Sequence, residues 1–235
     1  TRLAESIGAL PDGAELAVWD MRSPAPRERI DLVVTPYMGG AQALAALEGV
    51  DVGLAQSQSI GYDGVEEVLP DGIPFANASS VHETSTAELA LALTLAAQRQ
   101  LPRFVSAQHD GQWSPVFAES LADRRVLLVG FGGVGEAIAL RLEPFEVELT
   151  VVARTPRPIW HERLGRVQVH AIEALPDLVK DAEIVILALP GGPETHRIFD
   201  ARMLALMPDD ALLVNVGRGT LVDTDALIAE SGRIR

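Results

Sequence analysis

Short apolar runs alternate with helix-length segments along the sequence. In its first part the apolar runs are residues 16–19, 32–35, 52–55 and 74–76, and residues 41–48 have helical character. Short apolar runs bounded by segments rich in Pro, Gly and Asp favour strands. The alternation predicts a small α/β domain.

The second part of the sequence has the same alternation with longer apolar runs. Residues 86–100 are rich in strong helix formers and apolar nearly all round, as in a helix buried between two bodies. We place the domain junction there, with domains at 1–95 and 96–235. Continuous Val, Ile and Leu runs separated by helix-length connections predict a doubly wound parallel sheet. Its predicted strands are residues 126–129, 149–152, 167–170, 184–188 and 211–215.

Composition excludes several classes of function. Thirty-three acidic against nineteen basic residues give a net charge of -14, which disfavours nucleic acid and anionic membrane surfaces as partners. The sequence has no cysteine, so disulfides, thiolate metal sites and cysteine nucleophiles are excluded. Its most apolar stretch, residues 87–97, is shorter than the ~18 residues of a membrane span. We therefore expect a cytoplasmic protein with no membrane or nucleic-acid partner.

A glycine-rich motif follows the first strand of the second domain. The sequence VLLVGFGGVGEAIALRL places G-x-G-x-x-G between an apolar strand and a helical pattern. Gly130 permits a tight turn, Gly132 lets the backbone approach a pyrophosphate, and Gly135 lets the helix pack on the strand. Together with Gly133 and Val134, these residues are predicted to bind a dinucleotide at the helix N-terminus.

The adenosine-binding end of this predicted site lacks the usual acid. An Asp or Glu about twenty residues after the motif binds the ribose of NAD, but no carboxylate occurs between Glu148 and Glu162. That interval contains Arg154, Thr155 and Arg157 instead. A carboxylate at ~4 Å would repel a 2′-phosphate by about 4 kcal/mol per unit charge, so the arginines favour NADP over NAD. Two solvated arginines with relaxed cofactor choice are the alternative.

A third cluster follows the last predicted strand. There Asn215-Val216-Gly217-Arg218-Gly219 places a lone arginine between glycines at the carboxyl edge of a parallel sheet. Open α/β sheets bind ligands at this edge. The planar guanidinium of Arg218 suits a substrate carboxylate, and Val216 and Gly217 are predicted to line the cofactor site.

These clusters, preceded by a small α/β domain, resemble the D-isomer-specific 2-hydroxyacid dehydrogenase family, including its glyoxylate and hydroxypyruvate reductases. The resemblance covers most of the chain and extends to SIGYD at residues 59–63, to Asn77 with TAE at 86–88, and to AEIVILALPGGPET at 182–195. It implies a Rossmann nucleotide domain, a doubly wound parallel sheet, preceded by a smaller flavodoxin-like α/β substrate domain. It also implies a homodimer formed through the nucleotide domain.

The resemblance further implies an activity, the transfer of a hydride between NADP(H) and a small 2-oxoacid such as glyoxylate or hydroxypyruvate. The backbone of Ile60 and Gly61 and the side chain of Arg218 would bind the substrate carboxylate, and Arg218 would also polarise the carbonyl. Tyr37 and Met38 would line the substrate side of the cleft between the domains. The residues implied to contact the cofactor are Thr86, Leu189 and Pro190.

The sequence departs from the family pattern at its end. In the family a further strand, a catalytic Glu, a catalytic His and a return helix follow the segment equivalent to residues 225–235, and this sequence stops at Arg235. We therefore expect a longer chain to supply this acid–base pair. Gly191, Gly192 and Glu146 also replace common family residues, and these changes are expected to be peripheral.

Other functions remain open at this stage. A catalytically silent module that senses NADP(H) would bind the cofactor without turnover. An amino-acid dehydrogenase would need a lysine near the cleft, and the only lysine is Lys180, in a predicted surface connection. His82 lies closest to the expected cleft, but a loop side chain is the simpler interpretation. No histidine pair has a metal-binding spacing, so no metal site is expected.

Overall fold

The computed structural model describes residues 2–37 and 39–235. It divides into two compact units, Thr1–Ser79 and Ser80–Arg235. The boundary after residue 95 that the sequence suggests falls inside the helix Glu83–Gln98, which belongs to the second unit. Within the described residues, no helix has the length and apolar character needed to cross a bilayer.

The first unit contains a three-stranded parallel sheet with short helices. Strands β1 (Arg29–Val34), β2 (Asp51–Gln56) and β3 (Phe75–Ala76) pair in that order. The α-helices are α1 (Arg2–Ile7) and α2 (Val65–Val68), and Ala41–Leu47 is a 3-10 helix. Its core consists of Met21, Val33, Leu44, Leu47, Val52, Ala55 and Val65.

One strand prediction in this unit is wrong. Residues 16–19, predicted as a strand, have no regular structure, and Leu16 and Val18 are exposed. Trp19 alone packs against the core, with its Nε1 donating to Ser23 O at 2.9 Å. The helical character predicted for residues 41–48 is confirmed, as a 3-10 helix that ends at Leu47.

The second unit alternates strands and helices as its apolar runs predict. Its strands are β4 (Arg125–Val129), β5 (Glu148–Ala153), β6 (Arg157–His161), β7 (Gly165–Ala171), β8 (Ile184–Leu187) and β9 (Leu212–Asn215). Its α-helices are α3 (Glu83–Gln98), α4 (Leu101–His109), α5 (Gly133–Leu142), α6 (Leu175–Leu178), α7 (Ala201–Leu206) and α8 (Thr224–Glu230). Its 3-10 helices are Glu143–Phe145, Ile172–Ala174, Val179–Asp181 and Gly219–Leu221.

These strands form one sheet in the order β6-β7-β5-β4-β8-β9, and all neighbours are parallel except β6 and β7. The order of its parallel strands reverses beside β4, as in a doubly wound fold. The predicted fold class, a doubly wound nucleotide-binding sheet preceded by a smaller α/β unit, is therefore confirmed.

Both faces of the larger sheet are covered. On β4, Val126 and Leu128 pack into one core cluster with Ile138 of α5. The alternating residues Leu127 and Val129 pack into the opposite cluster, which α6 and α7 help to form. Burial on both faces explains why these strands are continuous apolar runs in the sequence.

Strand β6 is the element that the sequence did not predict. It runs antiparallel to β7, with Arg157 opposite Val169 and His161 opposite Gly165. The prolines at 156 and 158 favour a loop interpretation. Because β6 is an edge strand, Pro158 can lack an N–H without breaking the interior of the sheet.

Ion pairs join the amino ends of β4 and β8, at the edge of the sheet away from the carboxyl ends of its parallel strands. Glu183 accepts hydrogen bonds from Arg124 Nη1 at 2.7 Å and from the N–H of Arg125 at 3.0 Å. Partial burial acts to raise the pKa of this carboxyl, but the hydrogen bonds and the two arginine charges together lower the pKa. These ion pairs therefore stabilise the fold fully at pH values above the ordinary pKa of a glutamate. The stabilisation is lost as the pH falls through the lowered pKa of Glu183.

Candidate functional site

The glycine-rich turn joins β4 to α5 at the carboxyl edge of the large sheet. Gly130 has a φ of +109°, which residues with side chains rarely adopt, and a Cβ there would lie 2.6 Å from Ala188 O. A Cβ on Gly135 would lie 2.1 Å from Gly130 O. Both positions exclude larger residues for steric reasons, and α5 can therefore begin directly against the turn.

Gly132, at the start of α5, faces open space. A Cβ on Gly132 would meet nothing within 4 Å, and no described side chain caps the helix. The N–H groups of the first turn, which includes Gly133 and Val134, lack intrahelical acceptors and carry the positive end of the helix dipole. Such a turn can bind the pyrophosphate of a dinucleotide.

Glu83, which the sequence analysis did not single out, packs against this turn. Its carboxylate accepts the N–H of Ser80, and a Cβ on Gly133 would lie 2.9 Å from Glu83 Oε1. Its Oε2 is buried and has no hydrogen-bond partner in the part of the chain that the structure describes. A side chain at position 133 would therefore displace the end of the flexible Glu83 side chain. An acidic residue in the first turn of a predicted helix is the one signal that could have identified Glu83.

The hairpin after β5 brings an arginine to the glycine-rich turn. Arg154 and Thr155 are exposed beyond the end of β5. Arg157, the first residue of β6, donates from Nη1 to Thr155 O at 3.1 Å and from Nη2 to Phe131 O at 3.4 Å. Because Phe131 belongs to the turn, the guanidinium of Arg157 lies beside the candidate nucleotide site.

The connections after β8 and β9 converge on the same edge of the sheet. A Cβ on Gly217 would lie 2.6 Å from Leu189 O, so these two connections are in close contact. Pro190 follows Leu189 and is exposed. Val216 donates its N–H to Leu187 O at 3.0 Å and packs against the core. The structure therefore brings the predicted residues after β4, β8 and β9 together, where the strand order reverses and such folds bind ligands.

Arg218 follows β9 and is partly buried. Its Nη1 donates to Gly217 O at 3.2 Å. Asn215, the last residue of β9, donates from Nδ2 to Arg218 O at 2.9 Å and accepts the N–H of Gly217 on Oδ1 at 3.0 Å. One asparagine side chain thus closes the turn that carries the arginine. The sequence analysis quoted Asn215 in the motif but assigned it no role.

Thr86 lies in the second unit, near the start of α3. Its hydroxyl donates to His82 O at 2.9 Å, the same carbonyl that accepts the N–H of Thr86 at 3.0 Å. A hydroxyl that donates to the backbone can still accept a hydrogen bond from a ligand. The predicted cofactor residues, including Thr86, therefore share one unit with Arg218.

The predicted substrate-side residues belong to the first unit. Ile60 and Gly61 lie in the connection after β2, and Asn77, directly after β3, donates from Nδ2 to Ile60 O at 2.9 Å. Tyr37, beyond the end of β1, is exposed. Met38, predicted to line the substrate side with Tyr37, lies outside the described residues. The backbone predicted to bind a carboxylate is thus held by a side chain of its own unit.

Comparison with known protein families and curated proteins identifies relatives of this chain. The family model for the D-isomer specific 2-hydroxyacid dehydrogenase, NAD binding domain, matches residues 91–235. A glyoxylate reductase from Thermococcus gammatolerans is 30% identical over 240 residues, which cover 94% of this chain and 71% of that protein. The glyoxylate reductase/hydroxypyruvate reductase of Homo sapiens is 28% identical, over 95% of this chain and 73% of the human protein.

Solved structures share the fold. A D-isomer specific 2-hydroxyacid dehydrogenase from Xanthobacter autotrophicus Py2, in complex with NADPH and MES, superposes with a TM-score of 0.71 and 30% identity, covering 87% of this chain and 64% of that one. A D-lactate dehydrogenase from Aquifex aeolicus, complexed with NAD and lactic acid, has a TM-score of 0.73 at 22% identity, a likeness of fold alone, and 62% of its chain is covered. The chain therefore spans less than two thirds of the length of either structure.

Proposed function

The chain belongs to the D-isomer specific 2-hydroxyacid dehydrogenase family, and from this premise we propose that the protein is an oxidoreductase that transfers a hydride between NADP(H) and a small 2-oxoacid such as glyoxylate or hydroxypyruvate. The observation that carries the proposal is the glycine-rich turn, where a Cβ on Gly132 would meet open space and no described side chain caps the N–H groups at the start of α5. Phosphate groups are the ligands that such a helix start suits best. The proposal concerns the full-length protein, because this chain covers 71% of a glyoxylate reductase relative.

The residues of the turn fit a dinucleotide sterically. A Cβ at Gly132 would project into open space, whereas Gly130 and Gly135 are fixed as glycines by their own contacts. When bound, NADP(H) supplies or accepts the hydride. In the proposed arrangement the turn holds the pyrophosphate, and the residues nearer the reacting ring are Thr86, Leu189, Pro190, Val216 and Gly217.

We further propose that the protein prefers NADP to NAD. It is supported by the position of Arg157 beside the Phe131 carbonyl and by the nearby exposed Arg154. It is also supported by the lack of any carboxylate between Glu148 and Glu162. Guanidinium groups form strong, charge-assisted hydrogen bonds to phosphate, so the two arginines would bind a 2′-phosphate.

Arg218 is the residue that we assign to the substrate. A guanidinium can bind a carboxylate through two parallel hydrogen bonds, and its charge can stabilise negative charge that develops on the neighbouring carbonyl oxygen. In the same proposal, the backbone of Ile60 and Gly61 supplies further donors to the carboxylate. The family's histidine and glutamate pair, which would follow residues 225–235, would supply the proton.

Arg218→Lys is expected to raise the Michaelis constant for a 2-oxoacid about tenfold to a hundredfold and to lower kcat, because a point charge cannot replace the bidentate fork. Steady-state kinetics of the full-length protein with NADPH and glyoxylate would measure both. Arg202→Lys, at an exposed position of α7, is the matched control. Unchanged kinetics for the Arg218 variant would remove this residue from the site.

The same assay tests the proposed function itself. NADPH oxidation that depends on glyoxylate or hydroxypyruvate would support it. Tight NADPH binding without turnover of any 2-oxoacid would support the alternative, a catalytically silent nucleotide-binding module. No NADPH or NADH binding would contradict both.

We also propose that the protein forms a homodimer through the second unit. Helix α4 has no buried residue. Several large apolar residues of α3, α4 and the segment after them are exposed, and exposed apolar surface is typical of interfaces when it is contiguous. They are Leu89, Leu93, Leu101, Val105, Trp113 and Phe117. Family resemblance points to a second copy of the chain as the partner.

The double variant Val105→Asp, Phe117→Asp is expected to be monomeric, because two charges would be buried without partners in the interface. Light scattering coupled to size-exclusion chromatography would measure the mass. Ile228→Asp, at another exposed apolar position in the same unit, is the control and should leave the mass unchanged. A monomeric wild-type protein at micromolar concentration would contradict the proposal.

A further inference from the structure

The sequence contains two asparagines, Asn77 and Asn215, and both stand at the carboxyl ends of parallel strands. Asn77 directly follows β3 and Asn215 ends β9, so each belongs to a different unit. Each donates its side-chain amide to the carbonyl of a residue that the proposed function assigns to the substrate carboxylate. This coincidence of residue type, place and partner is the basis of the inference.

In the second unit, the amide of Asn215 spans the turn before Arg218. Nδ2 donates to Arg218 O at 2.9 Å, and Oδ1 accepts the N–H of Gly217 at 3.0 Å. Arg218 itself is extended, with φ −125° and ψ 145°. Asn215 thus holds the peptide that follows Arg218 and the peptide between Val216 and Gly217, and this restricts the backbone that carries the Arg218 side chain. The long arginine side chain therefore starts from a restricted base.

In the first unit, the side-chain amide of Asn77 also donates one hydrogen bond to the backbone and accepts another. Asn77 Nδ2 donates to Ile60 O at 2.9 Å, and Asn77 Oδ1 accepts the N–H of Ser79 at 3.2 Å. The carbonyl of Ile60 and the N–H of Gly61 belong to one planar trans peptide and point in opposite directions. Holding the carbonyl therefore aims the Gly61 N–H, one of the donors proposed for the carboxylate.

We propose that Asn77 and Asn215 are positioning residues for the substrate carboxylate, each fixing through its side-chain amide the backbone that carries one of the carboxylate-binding groups. The inference rests on the proposed function. An amide is needed at both positions because it must donate and accept at once, and an ionised carboxylate only accepts. Neither asparagine has to touch the substrate for this role.

The test uses Asn77→Asp and Asn215→Asp, which keep the side-chain shape and the accepted hydrogen bond, and the alanine variants, which add no charge. Each variant of the full-length protein is expected to raise the Michaelis constant for glyoxylate about tenfold through the loss of one partly buried hydrogen bond. NADPH affinity should stay as in the wild type for the Asn77 variants. For the Asn215 variants, any loss of NADPH affinity should be smaller than the loss of glyoxylate affinity, because Asn215 also holds Gly217 of the proposed cofactor site. Gln168→Glu is the matched control, because this amide also donates to a backbone carbonyl, Val169 O at 3.2 Å, in the second unit.

Double variants separate positioning from a merely structural role. If Asn215 acts through Arg218, Asn215→Ala should cost little more in the Arg218→Lys background, whereas Asn77→Ala should keep its full effect there. Multiplicative effects of Asn215→Ala and Arg218→Lys would overturn the role of Asn215. Equal losses of glyoxylate and NADPH affinity, or unchanged Michaelis constants, would overturn the inference but leave the proposed function intact. A wild-type protein that binds NADPH but reduces no 2-oxoacid would remove the proposed function and this inference with it.

Discussion

Charge reversal of Arg154 and Arg157 together is expected to weaken NADPH binding about a hundredfold or more while changing NADH binding little. Arg157 lies beside the glycine-rich turn through its hydrogen bond to Phe131 O, and Arg154 is exposed at the end of β5. Two glutamates there would repel a 2′-phosphate, and solvent screening would reduce the effect below that of a buried pair.

Fluorescence titration with NADPH and NADH would measure the two affinities at one fixed ionic strength. The matched control is Arg166→Glu with Arg202→Glu, which makes the same change in net charge at exposed positions elsewhere in the second unit. Because surface charges are screened by salt, the loss of NADPH affinity should be largest at low ionic strength. Equal loss for both cofactors would contradict the assignment of the 2′-phosphate to these arginines.

Gly135→Ala is expected to destabilise the second unit by about 3 kcal/mol or more and to abolish cofactor binding, because overpacking that the backbone must absorb is among the costliest substitutions. The new Cβ would lie 2.1 Å from Gly130 O, a backbone atom in a turn that cannot move away from β4. Thermal unfolding followed by circular dichroism would measure the change in stability.

Gly132→Ala tests the pyrophosphate site without the loss of stability expected for Gly135→Ala. Gly132 has a φ of −95°, and its Cβ would meet nothing within 4 Å, so folding should be nearly unaffected. Its methyl group would instead occupy the space proposed for the pyrophosphate and should weaken both NADPH and NADH. A Gly132→Ala protein that binds both cofactors as tightly as the wild type would show that the pyrophosphate lies elsewhere.

The sequence predicted the larger sheet well because its strands are buried on both faces. The runs at 126–129 and 184–188 contain few polar residues, and this pattern has few other interpretations. Residues 16–19 are equally apolar but exposed, so hydrophobicity without a partner strand was misleading there. The glycine motif was predictable because two of its glycines answer a local steric demand, a positive φ at Gly130 and a close approach at Gly135.

Roles that depend on distant partners could not be predicted in the same way. Gly133 contacts Glu83, a residue from another helix, and no spacing rule connects them. The position of Arg157 depends on β6, and the prolines beside it concealed that strand. Glu146, expected to be a peripheral difference from a common glycine, has a φ of +58°, a conformation that costs little only for glycine. Backbone conformation of this kind is invisible in the sequence.

The β6–β7 hairpin has an evolutionary consequence. Along β6, Arg157 reaches Phe131 O, Ile159 packs on the core, and His161 Nε2 lies 3.4 Å from Glu136 Oε1 of α5. Side chains alternate along a strand, so a shift of register by one residue would turn all three to the opposite face of the sheet. On the proposed cofactor assignment, one inserted or deleted residue in the connection 162–164 would therefore remove Arg157 from the nucleotide site and weaken the preference for NADP. The glycine-rich turn would stay in place, so the length of a surface turn would alter cofactor choice without any substitution in the site.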